Sequence, residues 1–560
     1  GLNAIAWISH RNDATVNELY GTTYLTLTAA LDIDGDGRIL PLTDGLLYAR
    51  WAQGIRGAAL VANATAPIAL RTTAAAVSNY LTRLQSSTGP ETTITRVTGH
   101  TPIGNDVKLS PTARITPNGS RVLLVDDHEN PGQDQLWSYS TSTSAPVKVS
   151  NNTTSDPITA LEISPDGSRV VYLQGTTLWS APVATAGSAV LISAPVIDVG
   201  TFKLRGSNQV LFDGRTAAGT PRNLWYVSIT AAQAPVDVSG MNVGNTRAVV
   251  EYALSADESF VVYRADADTV GQNELYRYTF APPARVKLST TLQANGNVTA
   301  FAIGTGGAAK VAYRADYAVD ERFELLSVAA TGGASTLISG APVTGRTAYA
   351  PNLVPTSNRV IFRSNRDDAN KIELFAAPID GATPPHKLAA ILAASGAVDG
   401  GIEITGNGTH AVFIADRDVT GRKELYSVHL GTDAVTKLSG TTVAGGNTTK
   451  FVLNLSGTRV LFRADRETDE TYELWSADAA TGGAPVKVSG PMAAGGNVLP
   501  DFEIDSSSPA LRAYFRADSL TPGQIELWSA ALTGGTPLRL SGNMVANSNV
   551  SYFVRSEIPA

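Results

Sequence analysis

The chain of 560 residues contains no cysteine, only three methionines and only six histidines. The missing cysteines exclude disulfides, thiol catalysis and thiolate metal sites together, and they leave the compartment open. The histidines, His10, His100, His128, His386, His410 and His429, show no pair at metal-ligand spacing and no His-Glu helix motif. A G-x-S-x-G elbow is absent as well. No apolar run approaches the roughly 20 residues that cross a bilayer, so no membrane span is expected. Charge of one sign is not concentrated either: the net charge is −7 and Lys and Arg form no run, which gives no electrostatic reason to expect a nucleic-acid partner. What is present is 43% hydrophobic residues with 17% charged, enough for several cores and too few charges for disorder, together with 51 glycines, 29 prolines and much Thr, Ser and Ala.

The richest signal is an internal repeat. "VVYRADADTVGQNELYRY" (261–278), "VAYRADYAVDERFELLSV" (311–328), "VIFRSNRDDANKIELFAA" (360–377), "AVFIADRDVTGRKELYSV" (411–428), "VLFRADRETDETYELWSA" (460–477) and "AYFRADSLTPGQIELWSA" (513–530) follow one template. Looser copies begin at 122, 170 and 210, and the period is about fifty residues. Each copy reads as an antiparallel hairpin of β-branched and aromatic residues around a polar loop. A further strand follows, as in "APVKVSG" (484–490), and another precedes, as in "NTTKFVLNLSG" (447–457).

Four strands per fifty residues, repeated, predict an all-β propeller in which each small sheet buries both faces against its neighbours. The short form "ISPDGSRVVY" (163–172), with its Pro-Asp-Gly turn, resembles the TolB-like (WD40-like) propeller repeat family. That resemblance covers about 106–555 and implies a fold of nine to ten blades. It implies nothing about activity.

Arg264, Arg314, Arg363, Arg463 and Arg516 share one template position, and Glu274, Glu324, Glu373, Glu424, Glu473 and Glu526 another. Features repeated this often are expected to serve the repeat, as opposite-charge pairs across each hairpin. Asp266, Asp316, Asp416, Asp465 and Asp518 are expected to accept hydrogen bonds from loop amides, the alternative being a ring of weak cation sites.

The chain ends carry a second pattern. "NAIAWISHRNDATVNELY" (3–20) aligns without a gap to "NRVIFRSNRDDANKIELF" (358–375), so residues 1–26 form a further hairpin. Residues 548–560 read as a first strand with no hairpin after it, and "DVKLS" (106–110) as the fourth strand of that same sheet. The closing blade is then assembled from both ends, within the chain or between neighbouring molecules. The remaining divisions are an inserted module at 27–90, a linker at 91–105 and the blades at 106–547.

Inside that insert, "LDIDGDGRILPLTDGLLYARW" (31–51) places Asp32, Asp34 and Asp36 at positions 1, 3 and 5 of an EF-hand-type loop. Gly37 supplies the turn and Arg38 a carbonyl at position 7. Position 12 is Thr43, and the closing carboxylate comes one residue late, at Asp44. The loop resembles those of dockerin-like domains, which implies one bound Ca2+ and an exit helix over 43–57. A calcium loop favours an extracellular, cell-surface or periplasmic home.

The expectation from all this is a secreted, non-catalytic propeller, a binding or assembly scaffold stabilised by calcium, with an unidentified protein or glycan ligand. Propeller peptidases resemble the blades but carry a hydrolase domain that has no counterpart in these residues. Two alternatives stay open. One is a filament or surface-layer subunit that self-associates through its terminal strands. The other is a lyase or hydrolase whose residues gather at the central channel one per blade, where linear spacing cannot show them.

Overall fold

A computed structural model describes residues 107–555 apart from 128, 130–131, 142–145, 152–154, 242–247, 305–308, 342, 355–356, 507–510 and 543; of the first 106 residues it describes 3–9, 18–24, 46–52, 55, 58–64, 73–74, 77 and 95–96. Nearly all of this is β-structure, arranged as nine four-stranded antiparallel sheets and a tenth with a fifth strand added. The architecture is propeller-like. In chain order the sheets are sheet 1 (114–148), 2 (158–191), 3 (202–237), 4 (249–287), 5 (298–337), 6 (352–397), 7 (403–437), 8 (448–487) and 9 (498–539). Sheet 10 joins Val550–Arg555, Asn3–Ser9, Glu18–Tyr24 and Thr95–Arg96, in that order.

The second strand of each sheet explains the packing. Arg121–Asp126, Arg169–Gln174 and His410–Ala415 are each buried at every position after the first. A strand covered on both faces needs an unbroken apolar run rather than alternation, which is what Val-Leu-Leu-Val and Ala-Val-Phe-Ile provide. First strands are less covered, as in Val298–Ile303, where only the first residue is buried.

Ten apolar clusters join successive sheets in a cycle. Leu123, Val125 and Leu136 of sheet 1 pack on Val170 and Tyr172 of sheet 2, and the same contact recurs from sheet to sheet as far as Leu461 and Leu474 of sheet 8 against Phe502 and Phe515 of sheet 9. Tyr514 and Leu527 of sheet 9 then meet Tyr20, Val550 and Phe553 of sheet 10. Tyr552 and Val554 return the contact to Ile115, Val122 and Trp137 of sheet 1. The Tyr552 hydroxyl also accepts a hydrogen bond from the Ala113 amide at 2.9 Å.

Two expectations are corrected. The fourth strand of sheet 10 is Thr95–Arg96, paired with Tyr20 and Gly21. Residues 107–110 turn instead to sheet 1, where Val107 bridges Asp126, the Lys108 amide bonds the Val125 carbonyl at 2.9 Å and its ammonium meets Asp127 at 2.7 Å. The template Arg and Glu are not partners either, because the hairpin register sets Arg264 opposite Leu275 and Glu274 opposite Ala265. Offset by one residue, they point to opposite faces. Each Arg instead crosses to the next sheet: Arg314, Arg363, Arg463 and Arg516 donate to the carbonyls of Ala348, Val398, Val498 and Val550 at 2.6–2.9 Å. Each Glu except Glu324 faces a cation on the fourth strand, as Glu373 with Lys387 at 2.6 Å and Glu526 with Arg539 at 3.0 Å.

The template aspartates organise loops. Asp416 accepts the amides of Ala397 at 2.5 Å and Gly421 at 3.0 Å, and Asp518 those of Asn497 and Gly523 at 2.5 and 2.7 Å. Their oxygens are thereby committed to backbone. Within the insert, two short helices, α1 (Leu46–Ala52) and α2 (Ala58–Val61), bury Leu47 and Leu60 with Ala64 and Val77. The Arg50 guanidinium ties them by donating to the Ala62 carbonyl at 2.7 Å.

Candidate functional site

The first strand of every sheet pairs with the third residue of the second strand at one common level. Opposite Leu123, Val171, Leu211, Val412 and Tyr514 stand Arg114, Glu162, Lys203, Glu403 and Glu503. Sheets 4, 5, 6 and 8 place Ala253, Ala302, Asn352 and Val452 there, while in sheet 10 Arg555 stands opposite the third residue, Ile5, and Val554 opposite the fourth, Ala6. In a propeller the sheets surround a central channel, and a level set by register supplies one side chain per sheet.

At this level sheets 9, 10, 1 and 2 enclose a pocket of about 430 Å3, lined by Glu503, Val554, Arg114 and Glu162 with their strand neighbours Ile115, Ile163 and Arg555, and by Pro117 from the following turn. It lies across the seam where the two ends of the chain meet. Its volume falls within the roughly 300–1,000 Å3 usual for small-molecule sites.

The charges are unevenly placed. Arg555 is held by Glu503 at 3.5 Å, Asp505 at 3.8 Å and the Ile504 carbonyl at 3.4 Å. Arg114 donates to the Thr112 and Ala113 carbonyls at 3.4 and 3.3 Å. Burial pushes the Glu162 carboxyl above the ordinary carboxylate range, against the opposing pull of the Leu204 amide, bonded at 3.3 Å, and of Arg114 and Lys203. A carboxyl that holds its proton more tightly than an ordinary one, beside a guanidinium, is suited to proton transfer. Glu403, on the far side of the ring, is raised by burial too and takes the Leu453 amide at 3.1 Å as Glu162 takes that of Leu204, but it does not line the pocket.

The residues expected to hold calcium, Asp32, Asp34, Asp36, Arg38 and Asp44, lie outside the described residues, as do His10, His100 and His128. Of the other histidines, His410 and His429 face each other across a hairpin of sheet 7 with ring centroids 4.8 Å apart, and His386 meets Asp433 at 3.3 Å. None of them lines the pocket, and among the described residues no group of three or more His, Asp or Glu is arranged to hold a metal. Among them also, no helix is long and apolar enough to cross a membrane.

No protein-family model matches the chain, and no curated protein matches it. Solved structures do. Dipeptidyl peptidase 4 of Porphyromonas gingivalis is 11% identical with a TM-score of 0.46, over 72% of this chain and 64% of that one. A puromycin-hydrolyzing peptidase of Mycobacterium tuberculosis is 14% identical with a TM-score of 0.36, over 66% and 60%. A putative TolB of Agrobacterium tumefaciens is 13% identical with a TM-score of 0.26, over 42% and 81%. The chain thus spans less than two thirds of the length of either peptidase, and at such identities the likeness is one of fold.

The expectation of a non-catalytic scaffold is corrected here: the solved structures that match include four peptidases, so the comparisons lend the scaffold reading no support. The reason that the sequence pointed the other way is physical. Searches by linear spacing find helix motifs and elbows, whereas Arg114, Glu162 and Glu503 lie up to 389 positions apart and meet only through ring closure.

Proposed function

We propose that the chain is a propeller hydrolase or lyase that works in the channel pocket at the seam, with Glu162 as the proton-transfer group and Arg114 as the positioning cation. The observation that carries this reading is the buried, upward-shifted Glu162 carboxyl set beside Arg114 inside a cavity of small-molecule size. Proton transfer by a positioned side chain contributes about 10^2–10^4 in rate, and it works best when the group's pKa lies near the working pH. The test compares wild type, Glu162→Gln and Glu403→Gln on panels of peptide, ester and glycoside substrates. A loss of about that size in Glu162→Gln, with Glu403→Gln near wild type, supports the reading. Equal activity in all three, or equal loss in the two variants, would overturn it.

We also propose, from the sequence, that the acid-rich loop 32–44 takes one calcium ion through Asp32, Asp34, Asp36, the Arg38 carbonyl and Asp44. The helix Leu46–Ala52, directly after it, agrees with an exit helix. Such a site suits an extracellular or periplasmic home. A chelator should lower the melting temperature and added calcium restore it, because an ion that binds only the folded state stabilises it. A transition indifferent to both sinks the calcium site.

A further inference from the structure

We infer that the seam pocket selects a small ligand, or a chain end, that carries a single carboxylate bound by the Arg114 guanidinium. The inference rests on the pocket being the reaction site and adds the class of molecule that enters it.

The argument starts from which charges are already answered. Arg555 is only 15% exposed and has Glu503 and Asp505 around its guanidinium, besides the Ile504 carbonyl. Its charge is spent within the wall. Arg114 stands at the same level of the channel as Glu162 and Glu503 but forms no ion pair among the described residues. Its bonds to Thr112 and Ala113 are long, local and made to neutral carbonyls. It is exposed, and the pocket wall around it mixes the charged Glu162, Glu503 and Arg555 with Ile115, Pro117, Ile163 and Val554. An arginine that lines a pocket without an ion pair favours a planar anion that it can grip with two parallel hydrogen bonds.

Glu162 decides between anions. Its burial shifts it toward the neutral carboxyl, the form that can donate a hydrogen bond to a ligand carboxylate. Arg114 is the guanidinium of the pocket that has no ion pair among the described residues, and a dianionic phosphate beside the Glu503 carboxylate would meet more repulsion than a monoanion does. Pro117, Ile163 and Val554 then offer apolar contacts to the uncharged body of the ligand, and about 430 Å3 limits it to a few sugar or amino-acid units.

A carboxylate of this size belongs to a uronic acid or to a peptide C-terminus, and matched pairs separate the two. Binding to the full chain is measured by calorimetry for glucuronate against glucose, and for N-acetylalanine against N-acetylalaninamide, with inorganic phosphate as a third probe. The acid of at least one pair should bind at least about tenfold more tightly than its neutral twin and than phosphate. Whichever pair discriminates names the source. Arg114→Ala should abolish the discrimination and Arg114→Lys restore part of it, while the melting temperatures of both variants stay near wild type because the side chain is exposed. Neutral twins that bind as well as the acids, phosphate that binds as tightly, discrimination that survives Arg114→Ala, or no binding of either acid at millimolar concentration would each overturn the inference. These are binding measurements, so they can fail while Glu162→Gln still abolishes turnover, and the reverse.

Discussion

One template residue carries different burdens in different sheets. Glu373, Glu424 and Glu526 each face a cation at the fourth-strand position held by Lys387, Lys437 and Arg539. In sheet 5 that position is Leu337, and Glu324 turns to Arg322 at 3.0 Å. Burial raises the Glu324 carboxyl above its ordinary range, as it raises Glu162 on the channel side. For Glu162 the consequence for stability has a definite sign. A carboxyl that holds its proton more tightly folded than unfolded adds stability at low pH and gives it up as pH rises from about 4.5 toward the folded value. Glu162→Gln cannot ionise, so its melting temperature should fall less than that of wild type between about pH 4 and 7. Parallel melting curves for the two proteins across that window would refute this direction. The sequence shows the carboxylates; burial, which sets their pKa, depends on the neighbouring sheet and is not written in the local pattern.

Between elements, the repeated arginine is the main finding that the sequence misled. It was visible as a period, and its conservation through the copies correctly indicated a structural duty, but its partner was assigned to the wrong strand. Hydrophobic runs identify strands without giving the register between them, and a slip of one residue exchanges the faces. Arg463 shows the true duty: it donates to the Val498 carbonyl of the next sheet at 2.6 Å and to Thr449 at 2.9 Å, with its guanidinium 3.8 Å from the centre of the Tyr472 ring. Burial holds its pKa below the usual arginine value. A buried cation bonded to a carbonyl contributes about 1.5–3 kcal/mol, and an aromatic face adds about 0.5–1. Arg463→Ala should therefore destabilise the protein by about 2–4 kcal/mol. Arg463→Lys should recover only part of this, since an ammonium lacks the planar fork that serves the carbonyl, the hydroxyl and the ring together. Chemical denaturation measures both, and a Lys variant as stable as wild type would count against the staple.

At the scale of the whole molecule, the repeat period and the likeness of the two chain ends were legible, but the number of sheets stayed open between nine and ten because closure is a contact between residues several hundred positions apart. The structure has ten, and the tenth is held to the ring from both sides by residues of the last strand. Val550 and Phe553 pack on sheet 9, while Tyr552 and Val554 pack on sheet 1. Val554 and Arg555 also line the pocket. Closure and site are therefore one event: removing residues 548–560 would strip a wall from the pocket, open the seam and leave Asn3–Ser9 as an unpaired edge. In a ring where each sheet touches only its neighbours, stability is a sum of sheet and interface terms, so the remaining sheets should stay folded while the seam loosens. The truncated chain is expected to keep its β-sheet circular dichroism, melt at a lower temperature, be cleaved first within the N-terminal hairpin and lose any activity that depends on Glu162. A synthetic peptide of residues 548–560 added in trans should restore part of that activity by supplying the missing strand. If the truncated protein instead keeps both its melting temperature and its Glu162-dependent turnover, the pocket at the seam is not the working site.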